Sequence, residues 1–171
     1  FMLLKATVGS PIVVDTDGEI RWATTGVRYA ASLSLKDNQM LVGDDQAPTF
    51  KMLDFDGSAV AGTVKSTTVN NFHHNVELGK TGFLAEFDTT IAGVKHVESQ
   101  VSEIDTTGAV LQEWDFAKIL SAYMTAEGDD PSLFIRPGID WFHVNSSIYD
   151  PRDDSVIVSS RENFFIKLDY Q

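Results

Sequence analysis

No cysteine occurs in the 171 residues, which excludes disulfides and thiolate metal sites and leaves the redox compartment undecided. Basic residues are scarce: 13 Lys and Arg stand against 25 Asp and Glu, for a net charge of −12. Binding to a phosphate backbone runs on clustered Lys and Arg, so nucleic acid is set aside as a partner. No apolar run approaches the roughly 18 residues that a membrane-spanning helix needs, so no membrane partner is expected. The opening Phe1–Val8 has neither the basic region nor the small-residue cleavage pattern of a signal peptide. Proline is limited to five, while 43% of the chain is hydrophobic and 11% aromatic, enough for one globular core.

What the chain does have is a recurring turn. Asp15-Thr-Asp-Gly18, Asp54-Phe-Asp-Gly57 and Asp105-Thr-Thr-Gly108 each separate two short apolar runs. Asp favours turns, and glycine takes positive φ without steric cost. The carboxylates at 15, 17 and 19 lack the distal glutamate of a calcium loop, so a plain turn is expected there. The three glycines are spaced by 39 and 51 residues, with further strand-like runs between them at Ala31–Leu35, Met40–Val42, Phe72–Leu78 and Phe83–Phe87. Four strands per repeat of this length describes a propeller blade, so the expectation is an all-β partial β-propeller of about three to four blades. A sandwich with variable loops fits the uneven period as well. Asp115–Ala126 departs from the pattern, with Phe116, Ile119, Leu120 and Tyr123 at helical spacing behind a possible Asp115 cap. It predicts one short inserted helix. Both ends of the chain stop inside strand-like runs, so residues 1–171 are expected to form a single partial propeller domain of a larger chain.

The chemistry concentrates in Asp140–Arg161. Trp141 and Phe142 precede His143 and Asn145, whose i, i+2 spacing puts an imidazole and a carboxamide on one face of a regular strand. The Asp150-Pro-Arg-Asp-Asp154 run reads as a turn, and Ser155–Ser160 as a returning strand that ends on Arg161. Such a hairpin gathers His143, Asn145 and Arg161 into an anion-binding cluster; a surface hairpin with a buried His and a solvated Arg is the plainer alternative. A second stretch aligns with it: Phe72 with Phe142, His73 with His143, and Asn75 with Asn145. Equivalent positions on the innermost strands of successive blades point at one channel. His74 faces away from His73 if the strand is regular, and His96 has no partner motif. A zinc or copper site from His73, His74 and His143 is disfavoured on the same ground, with no carboxylate at ligand spacing; no metal is expected.

These stretches resemble the bacterial PAPS-independent arylsulfate sulfotransferase family. Its D-W-x-H-x-N-S, turn, S-S-R pattern stands here as Asp140, Trp141, His143, Asn145, Ser146, Ser159, Ser160 and Arg161, and its His-His landmark as His73-His74. The similarity runs through residues 101–116 to 165–170, covering most of the chain from Asn70 onward. The resemblance implies sulfuryl transfer from an aryl sulfate to a phenol through a sulfohistidine, without a cofactor. It implies catalytic roles for His73, His143, Asn145 and Arg161, and a substrate-binding role for His74. Phe72, Trp141 and Phe142 are candidate apolar walls for the aryl group. A periplasmic or secreted location follows by the same resemblance, and a homodimer is left open. The family's nucleophilic His lies downstream of S-S-R, where none of these four histidines stands. The chain is therefore expected to supply the sulfuryl-binding half of the site, to need the remainder of the same propeller as its partner, and to be inactive alone. The alternative is a non-catalytic β-propeller binding module for a protein or a sulfated ligand, or a purely structural set of blades.

Overall fold

The computed structural model describes residues 2–4, 10–24, 30–36, 39–161 and 163–171. Four sheets follow one another along the chain, each a meander in which strands adjacent in sequence pair antiparallel. The first holds β1 (Met2–Leu4), β2 (Ile12–Val14) and β3 (Ile20–Ala23). The second holds β4 (Ala30–Lys36), β5 (Gln39–Asp44), β6 (Thr49–Asp54) and β7 (Ala59–Thr63). The third holds β8 (Val69–Leu78), β9 (Phe83–Ile91), β10 (Val94–Ile104) and β11 (Val110–Asp115), and the fourth β12 (Val144–Asp150), β13 (Ser155–Ser160) and β14 (Phe165–Asp169). The leading strand of the third sheet, β8, packs against β4 of the second and β12 of the fourth. Leading strands standing side by side are the inner strands of a propeller, and the fold is an all-β partial propeller of four blades that do not close a ring.

The Asp-x-x-Gly turns are the outermost hairpins of the first three blades. In each, the glycine N–H donates to the aspartate carbonyl (Gly18 to Asp15 at 3.2 Å, Gly57 to Asp54 and Gly108 to Asp105 at 3.0 Å). All three glycines take φ between 82° and 89°, where a Cβ is strained. The inserted helix is α1 (Phe116–Glu127), capped by the Asp115 carboxylate accepting from Lys118 N–H and closed by Gly128 in the left-handed region. It follows the third blade as the apolar spacing anticipates. Phe116, Ala117 and Leu120 are its buried residues.

A smaller cluster of Met40, Val42 and Leu53 packs against Trp22 of the first blade, and two larger apolar cores join the third blade to its neighbours. One joins Leu41, Phe50 and Met52 of the second blade to Phe72, Phe83 and Phe87 of the third. The other joins Leu84, Val101 and Trp114 of the third blade and the helix to Trp141, Phe142, Val144, Val156 and Val158. Phe72 is fully buried, with its ring centroid 4.8 Å from Phe87 and 6.2 Å from Phe50. A Cβ on Gly43 would stand 2.3 Å from the Phe72 ring, so that glycine lets the second blade close onto the third. Phe142 is equally buried and stacks on Phe116 at 4.6 Å, while Trp141 is 5% exposed and meets Phe134 edge-on. The apolar-wall expectation for these three rings therefore meets a correction. The hydrophobic effect places them in the cores between blades, where each loses most of its contact with water.

Candidate active site: a histidine cluster between two blades

Two bulges at one level of the third sheet build the site. Opposite Glu86 on β9, the neighbouring strand β8 inserts His73, His74 and Asn75 between the pairs Phe72–Phe87 and Val76–Ala85. Opposite Asp88, β10 inserts residues 97–99 between the pairs His96–Thr89 and Gln100–Phe87. A bulge leaves amides without ladder partners, and here two β9 carboxylates accept them. Glu86 Oε2 accepts from Asn75 N–H at 3.2 Å, and Asp88 Oδ1 from Glu98 N–H at 2.7 Å. The β8 bulge also corrects the expectation that His73 and His74 point apart. Strict alternation fails across the irregular register, and the two rings meet edge-on at 4.1 Å.

His143 arrives from the fourth blade. It lies just before β12, with φ 53°, rather than within a regular strand, so the i, i+2 relation to Asn145 does not hold. The S-S-R segment fastens this turn. Ser159 Oγ lies 2.9 Å from Ser146 Oγ, Ser160 Oγ donates to the Phe142 carbonyl, and Arg161 N–H donates to the His143 carbonyl at 2.9 Å. Asn145 itself sits at the β12 bulge and is exposed, and among the described residues no hydrogen bond joins it to the cluster.

The three imidazoles meet across the blade boundary. His74 Nε2 and His143 Nε2 are 2.7 Å apart, so one of them donates and the other accepts. His143 Nδ1 is 2.6 Å from Asp140 Oδ2 and also contacts Glu98 Oε2. His73 Nε2 is 2.7 Å from Glu98 Oε1, and Arg161 Nη2 is 3.5 Å from Asp140 Oδ2. His143 is buried while His74 and Arg161 are partly open to solvent, which leaves a cationic group at the solvent side of the buried ring. His96 stands at the edge of the β10 bulge and belongs to no part of this cluster.

Two of the acids at the centre, Glu98 and Asp140, carry no role that residue spacing assigns. Asp140 was visible as the first residue of D-W-x-H. Glu98 had no signal, because the bulge that delivers it is a property of sheet register. Their oxygens answer the expectation that no carboxylate stands at ligand spacing. His73, His74 and Glu98 form one group able to hold a cation, and Glu98, Asp140 and His143 another, all with ligand atoms within 4.8 Å. Glu86, fully buried behind the bulge, has its carboxyl pushed up to about 8, first by burial and also by the Glu98 charge. At neutral pH it is mostly an uncharged acid.

The comparisons with known proteins bear on this arrangement. The family model described as arylsulfotransferase (ASST) matches residues 1–171. An arylsulfate sulfotransferase AssT of Escherichia coli O6:H1 is 31% identical over a match covering 44% of this chain and 17% of the relative. The AssT of Lelliottia amnigena is 24% identical over 91% of this chain and 34% of the relative. The chain thus spans no more than about a third of the curated relatives it matches. Among solved structures, glutaminyl cyclase of Myxococcus xanthus superposes with a TM-score of 0.54 at 17% identity, covering 90% of this chain and 60% of that one. The Pan2 WD40 domain of Neurospora crassa gives 0.50 at 10% identity, covering 97% and 45%. At such identities the likeness shows the propeller fold alone.

Proposed function

The chain belongs to the arylsulfotransferase family, and we propose that it supplies the sulfuryl-binding half of a site transferring SO₃ from an aryl sulfate to a phenol. One observation carries this reading: His74 on the leading strand of the third blade and His143 just before that of the fourth converge to 2.7 Å beside Arg161. A sulfuryl group in flight spreads negative charge over three oxygens, and fixed donors aimed at those oxygens are the main requirement for lowering its barrier. An imidazole pair supplies such donors when protonated, and a guanidinium supplies a planar fork that stays charged at any working pH. His74 Nε2, His143 Nε2 and Arg161 are the donors assigned here. His73 stands behind them, on Glu98.

In this reading the sulfuryl group is held by the cluster while a histidine from another part of the propeller attacks sulfur. An N–S bond forms as the S–O bond to the aryl group breaks, the phenolate leaves, and the sulfohistidine then passes SO₃ to the oxygen of an acceptor phenol, whose proton is lost to solvent. The resemblance implies a nucleophilic histidine downstream of the S-S-R segment, and no histidine of this chain follows Arg161, so the attacking residue is assigned outside it; a periplasmic or secreted setting is part of the same proposal. The test is phenol release from 4-nitrophenyl sulfate, with and without acceptor, by the full-length protein and by residues 1–171 alone. Turnover by the full-length protein that His143→Ala abolishes supports the assignment. Multiple turnovers by the isolated chain, or wild-type rates in the His143→Ala protein, contradict it.

A further inference from the structure

Glu98 is the group that the donor set above leaves unexplained. It lies on β10, yet its carboxylate touches histidines of β8 and of the turn before β12: His73 through Oε1 at 2.7 Å and His143 Nδ1 through Oε2, with His74 Nε2 at 3.7 Å from the latter oxygen. It is 9% exposed, and its backbone is held at φ 45° by the bulge. A left-handed conformation in a residue with a Cβ costs on the order of 1–2 kcal/mol, and such strain persists only where the surroundings impose it. The Asp88 carboxylate imposes it here by accepting the Glu98 N–H. The strand thus carries a strained residue at the point where its carboxylate reaches histidines of both blades.

We propose that Glu98 is a positioning residue for sulfuryl transfer, bridging His73 to His143 and fixing the hydrogen of His143 on Nδ1. This rests on the function proposed above. A carboxylate only accepts, so an Nδ1 lone pair facing both Glu98 and Asp140 would be repelled by two anions. The hydrogen of the neutral ring must therefore sit on Nδ1, and Nε2, turned toward His74 and the incoming anion, donates when the ring carries its second hydrogen. The groups facing His143 are Glu98 from β10, Asp140 and Arg161 from the fourth blade, and His73 and His74 from β8. Of these, Glu98 alone connects the rings of β8 to Nδ1 of the fourth blade.

A cation held by the same atoms is the rival occupant. Zinc ligands at 2.0–2.2 Å from a tetrahedral centre stand about 3.3 Å apart, and two of the contacts here are shorter. His73–Glu98 at 2.7 Å and His143–Asp140 at 2.6 Å have hydrogen-bond lengths.

The experiment uses the full-length protein and three variants: Glu98→Gln, Glu98→Asp and Glu98→Ala. Steady-state transfer from 4-nitrophenyl sulfate to phenol gives kcat and KM, and histidine ¹⁵N correlation spectra give the tautomer of each ring. Melting temperatures and elemental analysis complete the set. Glu98→Gln is expected to lower kcat about 10- to 100-fold, as for other carboxylates that orient a working histidine, with KM within about threefold. It should also scramble the Nδ1–H form of His143, with Glu98→Asp recovering part of both. Rates within twofold of wild type with the tautomer unchanged overturn the proposal, as does a loss of rate that merely follows loss of folded protein. A stoichiometric divalent metal that leaves with Glu98→Gln also overturns it, in favour of a metal site. Should the wild-type protein turn over no aryl sulfate, the function proposed above fails, and the His143 tautomer alone decides whether Glu98 positions the ring.

Discussion

Strand β10 carries two buried glutamates, and their surroundings differ in kind. Glu103, at one end of the strand, accepts from Thr81 N–H at 2.6 Å, Gly82 N–H at 2.5 Å, Lys80 N–H at 3.0 Å, Thr81 Oγ1 at 3.1 Å and Tyr170 Oη at 2.9 Å. Burial opposes its charge, but these hydrogen bonds outweigh that, and its carboxyl is held below the usual range. Glu98, five residues earlier, faces three imidazoles and a second carboxylate. Backbone amides and hydroxyls do not change protonation state between pH 5 and 8, whereas imidazoles do. One glutamate is therefore a staple whose donors keep their hydrogens, fastening the β8–β9 turn to Tyr170 just beyond β14. The other sits among groups whose hydrogens can move. The lesson is that burial and charge alone do not mark a working carboxylate; the chemistry of its donors does.

The sharpest way to break this contrast is to remove the imidazole partner. His143→Ala in the full-length protein should lower aryl sulfate turnover about 100-fold or more, because it removes a donor and takes one partner from each of two carboxylates. Arg161→Lys keeps the charge and loses the fork, and should cost more than about tenfold, each tenfold being about 1.4 kcal/mol of transition-state stabilisation. Phenol release measures both, and a full rate in either protein would remove that residue from the site.

Glu103→Gln tests the other half of the comparison. An amide NH₂ would confront the backbone N–H groups of the 80–82 turn, at a cost of about 2–4 kcal/mol in stability, read by chemical denaturation. Activity per folded molecule should stay near wild type. The pH dependence follows from the lowered carboxyl. Stabilisation by Glu103 is present above the ordinary glutamate range and is lost as pH falls through its lowered value in the folded protein, so the variant should lose part of the wild type's sensitivity to acid. A variant with full stability, or one that folds but is inactive, would dissolve the distinction between the two glutamates.

Glu86 should act with the opposite sign. Its folded-state carboxyl is raised to about 8, so the stability linked to it is full below the ordinary glutamate value and is lost as pH rises toward 8. Glu86→Gln should flatten that decline, by at most about 5 kcal/mol across the window and by less wherever the fold relaxes. Denaturation curves at several pH values between 4.5 and 8.5 measure it, and an unchanged slope would show that the acid ionises without penalty. The smallest effect is expected of His96→Ala, which stands outside the cluster and should leave turnover within about twofold. A large loss there would extend the site along β10.

Much of this molecule is legible in its residues because the signals are local. The Asp-x-x-Gly turns require φ that glycine takes freely, and Gly18, Gly57 and Gly108 lie where the blades' outer hairpins turn. Asp115 and Gly128 bound a helix whose apolar spacing is plain. Asp140, His143, Ser159, Ser160 and Arg161 sit close enough in sequence for one hairpin to join them, and the hairpin does. Phe72, Trp141 and Phe142 show the limit of reading residue type alone. An aromatic beside a histidine suits a substrate wall or a core equally, and only the arrival of the next blade decides between them.

What the sequence by itself determined is thus the blade architecture, the helix and the identity of most of the polar groups. Tertiary structure decided where those groups point. Alternation along a strand sends His73 and His74 to opposite faces, and it fails because two bulges fall at one level of the third sheet. A bulge depends on the register between strands, which depends on packing against the next blade, and no residue pattern within β8 or β10 encodes it. Glu98 reaches His143 from another blade, and His74 reaches His143 across a separation of 69 residues. Contacts of that kind exist only once the inner strands stand side by side.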